Sequence, residues 1–299
     1  MLEIHHILGS TYAFETAMAF LPFYRLSEKE IVLLDSGYAT TDREILTQTL
    51  KAHDFQVKGI LCSHSHMDHV GNVRHLCDLY GCRVAAHLLE AAVASAPGNF
   101  IRLYGIHTSD EHGGVEECFT TTDIIQPGQT RLSFCGAEFQ VIPLPGHSGG
   151  HTGYITPDGV AYLGDVIMGA SQLAGSKMPF TSQLAEDLAS KRSLLELRAN
   201  VYVAAHKAIS TDIRELVEAN IARLEQKLEE ILAVLEGTPT GGEWLAAYCE
   251  KQGWNFRSER SFTILEFGFN SAVTYLEEQG KVVSRRVNGN RRYRKARPK

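Results

Sequence analysis

The chain has 299 residues, 44% hydrophobic and 21% charged, which places it among ordinary globular proteins with material for one large domain or two smaller ones. No apolar run approaches the roughly 20 residues that span a bilayer. Met1 to Ser10 has no basic n-region and carries His5 and His6, so no signal peptide is read and the cytoplasm is the expected location. Of the 29 basic residues, nine lie between Lys281 and Lys299, a stretch without acids; residues 1–280 therefore hold 20 basic against 35 acidic residues, a net −15. A basic end on an acidic body reads either as a polyanion contact or as a solvated terminus. The six cysteines have no C-x-x-C spacing and read as buried thiols rather than a disulfide framework.

In chain order, Ile31 to Leu34 is a short apolar run ending in Asp35-Ser36-Gly37, a strand followed by a turn. A helical stretch from about Asp42 to His53 leads into Gly59 to Cys62, a second buried strand. Val70 to Tyr80 reads as a helix and Arg83 to Ala86 as a strand. Pro97 to Gln129 is long, polar and irregular. It is either a plain surface loop, the commoner case, or a lid that makes His107 and His112 candidate substrate contacts. Phe139 to Leu144, Gly153 to Thr156 and Val160 to Leu163 continue the strands, with Gly and Pro between them. Leu184, Leu188, Leu194, Leu195 and Leu197 suit an amphipathic helix, and Val201 to Ala205 a strand. A long helix from about Asp212 to Leu235 carries apolar residues at spacings of three and four. After the Gly237–Gly242 break come helical stretches near Gly242 to Gln252 and Phe267 to Gln279. A hairpin around Asn288-Gly289 spans Lys281 to Tyr293. Such alternation predicts sheets covered by helices.

The chemistry concentrates in Ser63-His64-Ser65-His66-Met67-Asp68-His69, between a predicted strand and a predicted helix. Packing explains one buried histidine but not four metal-capable side chains within six residues. Neutral imidazoles and carboxylates suit Zn²⁺, and also Fe or Mn. One loop cannot complete two coordination spheres. Partners are found at His147 in a Gly-rich turn, at Asp165 after Tyr162-Leu-Gly, and at His206 after Val203-Ala-Ala. Each alone reads more readily as an ordinary turn residue; together, each following a strand, they form a specific pattern.

That pattern resembles the metallo-β-lactamase superfamily of hydrolases. Residues 1 to about 208 carry its five motifs, at Asp35, His64 to His69, His147, Asp165 and His206. The resemblance implies an α/β fold, an αββα sandwich with two divalent metal ions at one edge, zinc first and iron or manganese as alternatives. It assigns His64, His66 and His147 to one ion and Asp68, His69 and His206 to the other. Asp165 bridges them, and Asp35 supports the ligand loop. Aspartate rather than cysteine at position 165 is similar to the glyoxalase II branch and unlike true β-lactamases. Histidine at 66 departs from the flavodiiron pattern. The complete ligand set argues against the one-iron persulfide dioxygenases. About 40 residues between Asp165 and His206 leave no room for the extra domain of large RNA-processing members. A metal-bound hydroxide is then the expected nucleophile, with Asp68 a ligand that can also relay a proton.

Other residues carry blander expectations. Ser63 and Ser65 read as small loop residues, Cys62 as packing, and Lys207 as a solvated lysine rather than an anion contact. His151-Thr152 either fixes the His147 turn or is incidental. The C-terminal region resembles the winged-helix extension of some superfamily members, including single-strand endoribonucleases. There Arg285, Arg286, Arg291, Arg292 and Arg294 flank the predicted wing and can meet phosphates, and Tyr293 can stack on a base. Such modules also serve as protein or dimer contacts. Two domains are expected: residues 1–208, catalytic, and 209–299, smaller, mostly helical and winged-helix-like. The leading expectation is a dinuclear metal-dependent hydrolase of an ester, thioester or related small metabolite. The alternative is a phosphodiesterase or endoribonuclease whose C-terminal domain holds single-stranded RNA. A third reading is a binding module with a structural metal. Expected partners are a small-molecule substrate, nucleic acid at the basic end and a second copy of the chain, with no membrane.

Overall fold

The apolar run Ile31–Leu34 lies within strand β4 (Glu30–Leu34), and all four side chains are fully buried. Successive strand residues face opposite ways. Val32 and Leu34 therefore join one apolar cluster, and Ile31 and Leu33 another. The same division separates Leu61 from Ile60 and Ala85 from Val84 and Ala86 in strands β5 (Gln56–Leu61) and β6 (Arg83–His87). Strands apolar on both faces require cover on both, and this dictates the layering.

The structure is a computed structural model that describes residues 1–96, 98–99, 118–256 and 258–297. His107 and His112 lie outside the described residues. One sheet has seven strands in sequence order. It runs from β1 (Glu3–Leu8), β2 (Thr11–Glu15) and β3 (Phe20–Arg25) through β4, β5 and β6 to β7 (Asp123–Ile125). It is antiparallel up to β4 and parallel beyond. The second sheet has six strands, β8 (Arg131–Phe134), β9 (Ala137–Pro143), β10 (Thr152–Ile155), β11 (Val160–Tyr162), β12 (Val201–Ala204) and β13 (Ala208–Ser210). The described helices are α1 (Ala39–Ala52), α2 (Met67–Val70), α3 (Val73–Tyr80), α4 (Leu88–Ala94), α5 (Ala170–Gly175), α6 (Leu184–Ser193), α7 (Arg214–Ala233), α8 (Gly241–Gln252) and α9 (Glu259–Glu278).

Between the sheets, Phe134, Phe139, Tyr154, Tyr162 and Val203 meet Val32, Leu34 and Leu61. Leu46, Leu50, Val73, Leu76 and Ala91 of α1, α3 and α4 cover the outer face of the first sheet. Ile213, Val217 and Leu194 cover Leu163 and Tyr202 on the outer face of the second. The result is a four-layer αββα arrangement. Each buried Leu, Ile or Phe contributes about 1.5–3 kcal/mol.

The later half of α7 turns to a separate core with α8, α9 and the hairpin β14 (Val282–Val287) and β15 (Asn290–Lys295). Trp244 is fully buried there and donates its indole N–H to the Ile231 carbonyl at 2.9 Å. A capping box between Thr240 and Glu243 starts α8. Asn288 and Gly289 both have positive φ, as a two-residue hairpin turn requires. Leu184 and Leu188 of α6 also enter this core, tying it to the sandwich.

The structure departs from the sequence reading in several places, among them β7, which lies inside the stretch from Pro97 to Gln129 that reads as irregular. Strands β1 to β3 precede Ile31, where the first strand was expected; His5, His6 and Glu15 interrupt their apolar pattern. The helix read over Val70 to Tyr80 is two helices, split at Gly71-Asn72. Helix α9 starts at Glu259, well before Phe267, with Ser258 accepting from the Ser261 N–H as its cap. All six cysteines are free thiols, and among the described residues no helix is long and apolar enough to cross a membrane.

Candidate metal centre

Strand β4 ends in Asp35, whose φ of 64° is a left-handed conformation that aspartate tolerates. This turns the carboxylate back into the fold, fully buried. Its Oδ1 accepts from the Ser63 N–H at 2.7 Å. Its Oδ2 accepts from the Ser63 hydroxyl at 2.6 Å, the Tyr162 hydroxyl at 2.6 Å and His69 Nδ1 at 2.8 Å. Burial first, and then Asp35 itself, hold the Tyr162 phenol far above its ordinary range, so it remains a donor. Asp35 thus pins the start of the histidine loop and fixes the His69 ring with Nε2 facing Asp165.

The structure brings the seven expected residues into two adjoining groups, His64, His66 and His147, and Asp68, His69, Asp165 and His206. Within each group the candidate ligand atoms lie within 4.8 Å of one another. His64 Nε2 and His147 Nε2 each stand 2.9 Å from His66 Nδ1. Asp165 Oδ1 is 3.2 Å from His69 Nε2, and its Oδ2 is 3.1 Å from His206 Nε2 and 3.6 Å from His147 Nε2. Asp68 Oδ2 is 3.6 Å from His206 Nε2. Asp165 therefore touches both groups. His64, His69, His147 and Asp165 are buried, whereas Asp68, with 32% of its side chain exposed, His66 and His206 mark the open side.

The donor set fits divalent cations. His69 Nε2 and Asp165 Oδ1 are buried and, apart from facing each other at 3.2 Å, have no hydrogen-bond partner among the described residues, a need that a cation held by both would meet. Ring nitrogens on the far side are occupied: His147 Nδ1 faces the Phe180 carbonyl at 3.1 Å and His206 Nδ1 the Met18 carbonyl at 3.3 Å. Carbonyl acceptors there fix the tautomer that leaves Nε2 with a lone pair.

The two groups differ in charge. Burial and the neighbouring imidazoles hold His64 and His147 well below the usual histidine range. Burial opposes a charge on His69, but the Asp165 and Asp68 carboxylates override it and raise its pKa well above normal. Asp165 raises His206 to about 9. Metal ligands must shed their protons. Zinc uptake by the Asp68–His69–Asp165–His206 group at about pH 7.5 is therefore expected to release one to two protons, and uptake by His64–His66–His147 none. Calorimetry in buffers of different ionisation enthalpy reads this directly; equal release at both steps counts against the charge assignment.

The sequence reading passed over Glu90. This buried carboxylate, on α4, accepts from the Ser65 N–H at 2.8 Å and hydroxyl at 2.5 Å through Oε2. Through Oε1 it accepts from the Ser148 hydroxyl and the Gly150 N–H, both at 2.8 Å. It therefore ties the His64–His69 loop to the His147 turn. No local signal marks it, since one glutamate in Leu88-Leu-Glu-Ala-Ala-Val-Ala94 reads as a solvated helix charge. Ser63 and Ser65 are correspondingly more than small residues: both donate to buried carboxylates.

His151 serves the Asp165 loop as well as its own turn. Burial lowers its pKa to about 3, and its Nε2 accepts from the Asp165 N–H at 2.9 Å. Gly164, at φ 52°, makes room, because a Cβ there would lie 2.5 Å from that nitrogen. At Gly146, at φ 125°, a Cβ would strike the Asp187 backbone, so the His147 turn seats directly on α6. Cys62 is buried strand packing, as expected. Lys207 is a correction. Its positive φ turns it back onto β2, where Nζ donates to Glu15 Oε1 at 2.8 Å and to the Thr16 carbonyl at 2.5 Å.

The profile of the metallo-beta-lactamase superfamily matches residues 23–206, and the chain belongs to that superfamily. A hydroxyacylglutathione hydrolase of Vibrio cholerae is 26% identical over 187 residues, 62% of this chain and 60% of that protein. One from Shewanella denitrificans is 28% identical over 163 residues, 54% of this chain and 52% of that protein. The chain thus matches between half and three-fifths of the length of these curated relatives. In structure, a metallo-beta-lactamase family protein from Thermus thermophilus superposes with a TM-score of 0.72 at 22% identity, covering 96% of this chain and 98% of its own. That likeness extends the shared fold through the helical C-terminal part.

Proposed function

We propose that the protein is a dinuclear metal-dependent hydrolase of an ester or thioester of a small metabolite. The observation that carries this is Asp165, whose two oxygens reach histidines of both ligand groups. His64, His66 and His147 would hold one divalent ion and Asp68, His69 and His206 the other, with Asp165 shared and zinc the first choice. Bound ions of this kind supply a strongly acidified water and an electrophile for the carbonyl oxygen. The chain's own residues do the rest. Asp35 and Glu90 hold the two ligand loops in register. Asp68, the only half-exposed carboxylate of the set, is placed to take the proton that the attacking water loses and to hand it to the departing alcohol or thiol. Support comes also from the hydroxyacylglutathione hydrolases among the relatives.

Elemental analysis is expected to find about two zinc equivalents per chain. Chelation should abolish hydrolysis across an ester and thioester panel, and zinc should restore it. Metal-replete protein inert toward esters, thioesters and phosphodiesters alike would sink the proposal.

The phosphodiesterase reading rests on the basic hairpin. Arg291 pairs with Glu277 and Arg292 with Glu243, but among the described residues Arg285 and Arg286 make no ion pair. Removing the hairpin is a poor test, because Val282 and Tyr293 pack with Trp244. Arg285→Glu with Arg286→Glu is expected to leave thioester turnover within about twofold. Turnover of RNA that falls steeply with added salt, and is lost in this double variant, would favour the nuclease.

A further inference from the structure

Phe180 joins the metal centre to the C-terminal part. Its ring meets His66 at 5.1 Å and His147 at 5.4 Å, both edge-on. On another side it stacks on Phe267 of α9, with centroids 5.2 Å apart and planes within 8°. Val93 of α4 and Ile264 of α9 join them in one apolar cluster. Val93 is buried, whereas Phe180, Ile264 and Phe267 are only half-buried. Phe180 is the member that meets His66, one of the residues that mark the open side.

Taking the ester or thioester hydrolase proposed above as given, we propose that Phe180, Phe267 and Ile264 form the seat for an apolar acyl group, and so select the substrate. The two ends of the centre are unlike. Asp68 and His206 lie at the polar end, where the proton for the departing alcohol or thiol is available. The acyl group then extends the opposite way, past His66 and onto the aromatic pair. Stacked rings offer a large apolar surface, and an anionic acyl substituent would be desolvated there without a partner. The preferred substrates are therefore esters or thioesters of medium-chain or aromatic acids. Part of the seat comes from α9, which makes the C-terminal part a wall of the active site.

The test uses thioesters of one thiol with acetyl, butanoyl, octanoyl and benzoyl groups, on the full-length zinc-loaded protein. Wild type is expected to favour octanoyl and benzoyl over acetyl by about tenfold or more in kcat/KM, mostly through KM. Phe267→Ala should lower the octanoyl and benzoyl values by roughly tenfold and leave acetyl within about twofold. Phe267→Leu, which keeps apolar bulk, should recover most of the octanoyl rate. In parallel, calorimetry should show octanoate binding to wild type and roughly tenfold weaker binding to Phe267→Ala. A flat wild-type series, or an equal loss on every acyl group, overturns the proposal. Octanoate binding that Phe267→Ala weakens, with no turnover of any ester or thioester, upholds the seat and overturns the hydrolase reading instead.

Discussion

Glu90→Ala is expected to weaken zinc binding by about 10- to 100-fold and to destabilise the protein by roughly 3–5 kcal/mol, although Glu90 reaches neither ligand group. The physical reason is the number of donors that converge on it. Ser65 N–H and hydroxyl, Ser148 hydroxyl and Gly150 N–H all end on its two oxygens, in a fully buried setting. Each buried donor left without an acceptor costs about 1–3 kcal/mol; the two hydroxyls can rotate and recover part of that, but the two backbone N–H groups cannot. The loop holding His64 to His69 and the turn holding His147 then lose their common anchor. Glu90→Gln is the informative companion. Its amide oxygen can serve one loop, but its NH₂ group meets the N–H of the other, so it should fall between wild type and Ala. Thermal melts with and without zinc, and competition against a chromophoric chelator, measure both effects. Zinc affinity within about threefold of wild type in Glu90→Ala would show that the two loops hold their positions without it.

Some of this architecture was written locally in the chain and some was not. Sheets covered by helices were legible because apolar runs such as Ile31–Leu34 and Gly59–Cys62 alternate with helical stretches, whereas the αββα order of the layers came only with the resemblance to the superfamily. The ligand cluster was legible because four metal-capable side chains in His64–His69 have no packing explanation. What escaped the sequence is what depends on tertiary partners. Strands β1 to β3 carry His5, His6 and Glu15 at positions where a strand signal wants apolar residues. His5 and Glu15 satisfy each other across the β1–β2 pair, 2.7 Å apart, a contact that exists only once the strands are paired. Lys207 reads as a solvated lysine until the chain returns it to Glu15, 192 positions away. Glu90 is the clearest case, for its role is defined by Ser65, Ser148 and Gly150, none of them near it in sequence. Phe180 is similar: an aromatic after a proline says nothing of histidines until the fold lays it against His66 and His147.

Asp165→Asn should reduce turnover by about 10³-fold or more and zinc content from about two equivalents to about one, with the fold retained. Asparagine keeps the shape and one oxygen but removes the charge that faces His69 and His206. The metal-free protein allows the same assignment to be checked without any turnover. In wild type, Asp165 raises the His206 pKa to about 9; in the variant, the His206 titration followed by NMR should fall back toward the ordinary value of 6.5. The sign for stability follows from linkage. A histidine raised from 6.5 to about 9 contributes stability that is fully present below pH 6.5 and is lost as pH rises through about 9. Asp165 is itself held well below its ordinary 3.8 by His69 and His206, against the opposing effect of burial. Its own contribution is therefore complete above pH 3.8 and is lost only as pH falls through its lowered value. Metal-free wild type should exceed the variant in melting temperature most between pH 3.8 and 6.5, and the gap should narrow by about pH 9. A gap that is constant across this range, or that widens toward pH 9, would mean that Asp165 and His206 do not share a charge.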